Sequence, residues 1–233
     1  MAEPKQPQIA IAGAMHLLRS FRGSDLTRTI REIEKSLKGV SVDGYSPVLA
    51  KSGAKKEILG AAGLVKQLAA QIDVVVHTLG ILLCLPQILR PGEVIEYVSL
   101  GAGNTKRKFD LETNQRIAEF KFIRWQGGSE SIRQNSLFKD FYGLVEQETQ
   151  KEKFLYVLGT EHGEKFFNGG RALESVLSRN DALKKKFSAK YHDRFVTVRD
   201  YYLSRKGSVV IQDVSGFVPE LVAAALETVE TEE

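Results

Sequence analysis

Three charged side chains in one short stretch are equipped for chemistry: Asp110, Glu119 and Lys121, within Phe109-Asp110-Leu111-Glu112-Thr113-Asn114-Gln115-Arg116-Ile117-Ala118-Glu119-Phe120-Lys121-Phe122. Two acids beside a lysine can hold a cation and act on a phosphate ester. The stretch reads as a β-hairpin. Over residues 117–123 the types alternate, so Ala118, Phe120 and Phe122 point one way and Glu119 and Lys121 the other. On the first arm, Phe109 and Leu111 are expected on one side, and Lys108, Asp110 and Glu112 on the opposite one. The turn falls around residues 113–116, where Asn114 tolerates a left-handed backbone.

With Asn114 and Gln115 as the loop, Thr113 pairs with Arg116 and Asp110 lies directly across from Glu119. Side chains opposed in this way have Cβ atoms roughly 5 Å apart, and like charges there destabilise a sheet. Something positive must offset them: a divalent cation, Lys121, or both. Mg2+ takes oxygen ligands and is held by one or two carboxylates with water and substrate phosphate. The plain alternative is a surface hairpin with a charged outer face.

Asp110, then eight positions, then Glu119-Phe120-Lys121 resembles the PD-(D/E)xK signature of the restriction-endonuclease-like nucleases. In that superfamily the Asp opens the second core strand and the acidic-x-Lys triplet lies on the third. Phe109 stands where the motif's name has proline. The resemblance implies that Asp110, Glu119 and the backbone carbonyl of Phe120 bind Mg2+ or Mn2+, and that Lys121 orients or helps deprotonate a water. It also implies an acid from the first core helix, for which Glu57 is the first candidate and Asp73 the second. From the second core helix, Arg133 and Gln134 are candidates to meet phosphate. The Gln-x-x-x-Tyr pattern of one branch is not met, because Phe138 follows Gln134 by four.

The elements around the hairpin agree with that core. Residues 55–89 carry one or two helices, 94–100 a strand, 130–147 a helix capped by Ser129, and 153–159 a short apolar strand. The order helix, strand, strand, strand, helix, strand follows. On the 130–147 helix, Ile132, Leu137, Phe141 and Leu144 form the expected buried stripe. Upstream, residues 9–20 read as a short helix or packed arm, Asp25 caps a helix that runs to Gly39, and 39–54 is a turn-rich loop. Downstream, 170–187 reads as helical, 194–203 and 208–214 as strands or a helix–strand pair, and 219–228 as an amphipathic helix. The expected fold is α/β, a mixed central sheet flanked by helices with a restriction-endonuclease-like core and extra terminal helices. Its parts are an N-terminal helical extension packed on the core (1–54), the nuclease-like core (55–160) and a C-terminal extension in the same globular unit (161–233).

Composition narrows the class. With 33 Lys and Arg against 29 Asp and Glu the net charge is +4, mildly basic and compatible with nucleic acid. A single cysteine, Cys84, rules out an internal disulfide or a cysteine–metal cluster. The polar start at 1–8, with two prolines, carries no secretory pattern, and the apolar run 74–89 is broken by His77, Pro86 and Gln87. That run is expected as a buried helix rather than a membrane span, in a soluble cytoplasmic protein. The turn at 101–105 lacks the Gly-Lys-Ser/Thr ending of a phosphate loop. Lys106 and Lys108 in the basic run after it are candidates to contact a nucleic-acid backbone. His16, His77, His162 and His192 form no ligand-like pair in the sequence.

The expectation is a Mg2+-dependent endonuclease or exonuclease acting on nucleic acid, DNA first, with a homodimer as a possible assembly. The alternatives are a catalytically inactive nuclease-fold protein that binds nucleic acid or regulates, and an interaction protein whose hairpin charges are merely solvated.

Overall fold

The computed structural model describes residues 11–101, 108–123, 125 and 131–226. The chain divides into two units, Met1–Asp73 and Val74–Glu233, the division falling within a helix. The first unit holds α1 (Ile11–Arg22), α2 (Leu26–Leu37), α3 (Val42–Lys51) and the start of α4 (Lys56–Ile88). Asp25 caps α2 as expected, its carboxylate accepting from the amides of Thr27 and Arg28 at 2.8 and 3.2 Å. The loop expected over 39–54 is instead largely α3. Its glycine and proline read as turn signals, yet Pro47 lies inside the helix. A cavity of about 280 Å³ in this unit is lined largely by apolar side chains such as Phe21, Ile33 and Tyr45, with Glu34 the one carboxylate among them.

The second unit is built on one sheet. Its elements are the rest of α4, β1 (Ile95–Val98), β2 (Leu111–Thr113), β3 (Arg116–Lys121), α5 (Ser131–Glu146) and β4 (Glu152–Val157). After these come α6 (Glu161–Phe167), α7 (Leu173–Leu177), α8 (Asp181–Tyr191), α9 (Val198–Ser204), β5 (Val210–Asp213) and α10 (Pro219–Leu226). The sheet order is β1-β2-β3-β4-β5, antiparallel through β3 and parallel from β3 to β5. The fold is therefore mixed α/β with helices on both faces. The helix expected over 170–187 is two, because Asn180 ends one stretch and caps the next through Leu183 N.

Alternation along β3 sorts the two cores. Ala118, Phe120 and Phe122 join Leu111, Tyr156 and α4's Ile81, Cys84, Leu85 and Ile88 on one face. Ile117 joins Leu155, Val157 and the buried residues of α5, α7, α8 and α9 on the other. On α5 the stripe is Leu137, Phe138, Phe141 and Leu144; Ile132, expected inside, is 72% exposed in the first turn.

α4 alone among the described residues is long and apolar enough to cross a membrane. One stripe of it is buried against the sheet, while Val75, Leu79, Leu82 and Leu83 are exposed. The expectation of a buried helix over 74–89 thus holds for one side only. Gly80 is where α4 comes closest: a Cβ there would stand 2.7 Å from the Phe122 ring.

The hairpin has the expected register. Leu111 pairs with Ala118 and Glu112 with Ile117, which carries Thr113 onto Arg116 and Asp110 onto Glu119. Its turn is not held by a left-handed Asn114, since His192 is the one non-glycine with positive φ among the described residues. Instead Thr113 Oγ1 accepts from the amides of Gln115 and Arg116, at 3.0 and 2.9 Å, and Asn114 Oδ1 accepts from Val94 N at 2.9 Å. Beneath the turn the Arg116 guanidinium grips Glu93 through two hydrogen bonds of 2.5 and 2.6 Å and donates to Tyr156 Oη at 2.8 Å. A buried, bidentate pair of this kind permits one register.

Candidate functional site

The site lies at the end of the sheet where β3 runs past β2. Residues 108–110 are a bend rather than strand, so the alternation expected on the first arm breaks there. Phe109 packs in the α5 core while Leu111 packs in the α4 core, on opposite faces rather than one. That bend turns Asp110 across the end of the sheet. Its Oδ2 accepts from Phe120 N at 3.0 Å, and its Oδ1 stands 3.4 Å from His77 Nε2 of α4. A strand residue sends its N–H and C=O to the same side. The carbonyl of Phe120 therefore faces this edge along with its amide.

Glu119, across from Asp110, is hydrogen-bonded to it. Burial, and then the charges of Asp110 and Asp140, push the Glu119 carboxyl up to about 9, against the opposing pull of Lys121. Burial acts to raise Asp110 as well, but the hydrogen bonds from His77 and the Phe120 amide outweigh it and hold that carboxyl below its ordinary value. Burial and mutual charge thus favour the protonated form of Glu119, while the hydrogen bonds of Asp110 favour its ionised form.

Lys121 does not neutralise this pair. Its ammonium lies 2.6 Å from Oδ2 of Asp140, an acid on α5 that is only 8% exposed. Burial acts to lower the lysine, but the charge of Asp140 outweighs it and holds Lys121 above its ordinary value. Lys121 is therefore an ammonium at neutral pH, able to donate hydrogen bonds and offset negative charge but not to accept a proton.

The donor set fits a hard cation. Two carboxylates and a backbone carbonyl converge on one edge, and the proton that Glu119 retains is the positive charge an ion would replace. Among the described residues no group of three or more His, Cys, Asp or Glu stands at ligand distance.

Of the remaining expected site residues, Glu57 lies in the first turn of α4, in the first unit, as does Asp73. The α4 side chain at Asp110 is His77. Lys106 falls outside the described residues, as does Ser129, the expected cap of α5. Lys108 is exposed and donates to Gln147 Oε1 at 3.1 Å. Gln134 is engaged by the Arg171 guanidinium, and Arg133 is half-buried beside it on α5. Glu112 pairs at 2.9 Å with Lys151, which also reaches Glu96.

Two residues of the site escaped sequence reasoning. His77 was set aside because no other histidine is near it in the chain, yet it precedes Ile81, Cys84, Leu85 and Ile88 at helical spacing. Asp140 likewise falls in phase with Leu137, Phe141 and Leu144 on α5. A polar residue at a core position of a helix is the signal that would have found both.

Comparison with protein-family models gives no match, and comparisons with curated proteins and with solved structures give none either.

Proposed function

We propose that this protein is a metal-dependent nuclease that hydrolyses phosphodiester bonds in nucleic acid, with DNA the expected substrate. One observation carries the reading. The carboxyls of Asp110 and Glu119 meet at one end of the sheet, where burial and mutual charge disfavour ionising both, while the nearby Lys121 ammonium lies 2.6 Å from Asp140. Such a pair is poorly explained as a structural element, because opposed acids destabilise a sheet. It is well explained as a cation site read in its proton-loaded state. Supporting it is the element order α4, β1, β2, β3, α5, β4, with β1–β3 antiparallel and β4 parallel to β3, which resembles the restriction-endonuclease-like core.

Asp110, Glu119 and the carbonyl of Phe120 would hold Mg2+ or Mn2+, and His77 would orient Asp110 or add an imidazole. A bound divalent cation polarises the phosphate and lowers the pKa of a water that it holds. The chain's own groups do the rest. The Phe120 amide and His77 keep Asp110 ionised and fixed. Lys121, held as an ammonium, orients the attacking water and meets the negative charge that grows on the phosphate oxygens as the ester P–O bond breaks.

The test is cleavage of supercoiled plasmid with Mg2+ or Mn2+. Asp110→Asn and Lys121→Ala are each expected to abolish cutting while the circular-dichroism spectrum stays unchanged. Equal cutting by either variant and the wild type overturns the assignment.

A further inference from the structure

Asp140 has no counterpart in the sequence pattern of the site, and its place is an expensive one for an acid. It occupies the inward stripe of α5, where its neighbours in phase are Leu137, Phe141 and Leu144, and it is 8% exposed. A buried ion pair is commonly no more stabilising than apolar side chains of the same volume. Stability alone therefore gives little reason for an acid here.

Geometry supplies a reason. Lys121 and Glu119 lie on the same face of β3, two residues apart, which along a strand is about 7 Å. A lysine's ammonium rides on a flexible four-carbon stem and can cover that distance. Left free, it would turn to the nearest acids, Asp110 and Glu119, and occupy the position of a cation. Asp140 Oδ2, on the rigid α5, holds it instead at 2.6 Å.

We propose that Asp140 is the positioning residue for Lys121: it anchors the ammonium on the α5 side and so keeps Asp110 and Glu119 open to a cation. The inference rests on reading Asp110 and Glu119 as cation ligands. It makes a claim that a merely structural role does not. Removing Asp140 weakens cation binding through Lys121, so removing Lys121 as well restores it.

The experiment is titration calorimetry with Mn2+ on the wild type, Asp140→Asn and the double variant Asp140→Asn/Lys121→Met, at one pH and without nucleic acid. Asp140→Asn is expected to bind more weakly, because the freed ammonium competes at the site more than loss of the Asp140 charge relieves Glu119. The double variant is expected to return to about the wild-type affinity while remaining unable to cut plasmid. Should Asp140→Asn not yield folded protein, Asp140→Ser, which leaves room for a water, makes the same comparison. Unchanged affinity in the single variant overturns the proposal. So does a double variant as weak as the single one, since Asp140's own charge would then be what attracts the ion. A wild type that binds no Mn2+ removes the ligand reading and this inference together, whereas failure of the variants alone removes only the inference.

Discussion

Cation binding should expel a proton, and the amount follows from the site. Glu119 is held at about 9 by burial and by the charges of Asp110 and Asp140. At pH 7 it lies about two units below that value, so roughly 1% of molecules present the doubly ionised pair a cation needs. Binding at pH 7 must then release about one proton, and the apparent affinity lies about 100-fold below its alkaline limit, near 3 kcal/mol at ~1.4 kcal/mol per unit. Between pH 6 and 8 the affinity should rise about tenfold per unit. Calorimetry in two buffers of different ionisation heat reads the proton directly, as a buffer-dependent binding enthalpy. In Asp110→Asn one opposing charge is gone while burial and Asp140 remain, so a smaller release is expected. An enthalpy independent of buffer, together with an affinity flat over pH 6 to 8, would refute the proton on Glu119.

The same proton makes the cation-free protein pH-sensitive. Because the folded carboxyl of Glu119 sits above its unfolded value, the folded state binds more protons, and its stabilisation is complete below the unfolded value. Stability should fall by up to ~1.4 kcal/mol per pH unit as the pH rises toward 9, and Glu119→Gln should flatten the slope; urea melts at pH 6 and 8 check this. Gly80→Ala places a methyl 2.7 Å from the Phe122 ring and should destabilise by about 1–3 kcal/mol; a change under about 0.5 kcal/mol would mean that α4 can shift freely there. Glu93→Ala strands the buried Arg116 guanidinium and should cost about 3–5 kcal/mol in the same melts, while Arg90→Ala, which removes only the exposed pair with Glu152, should leave the midpoint nearly unchanged.

The hairpin was legible because period-two alternation and register are local properties. Leu111 opposite Ala118, and Glu119 on the face away from Phe120, follow from side-chain types alone. The order of elements around it was legible for the same reason, since each carries its own periodicity. What could not be read was contact between elements far apart in the chain. Asp140 reaches Lys121 from another helix, and His77 reaches Asp110 across 33 positions of sequence. The bend at 108–110 also escaped, because Phe109 and Leu111 keep the alternating pattern while facing different cores. At 39–54, turn-forming residues masked a helix whose Tyr45, Val48 and Leu49 line the cavity of the first unit.

A crystal soaked in Mn2+ tests most directly whether Asp110 and Glu119 are ligands. An anomalous peak between their carboxylates, within coordination distance of the Phe120 carbonyl and with Lys121 still on Asp140, is the predicted result. A fully soaked crystal with no peak there, and Glu119 still hydrogen-bonded to Asp110, would contradict it.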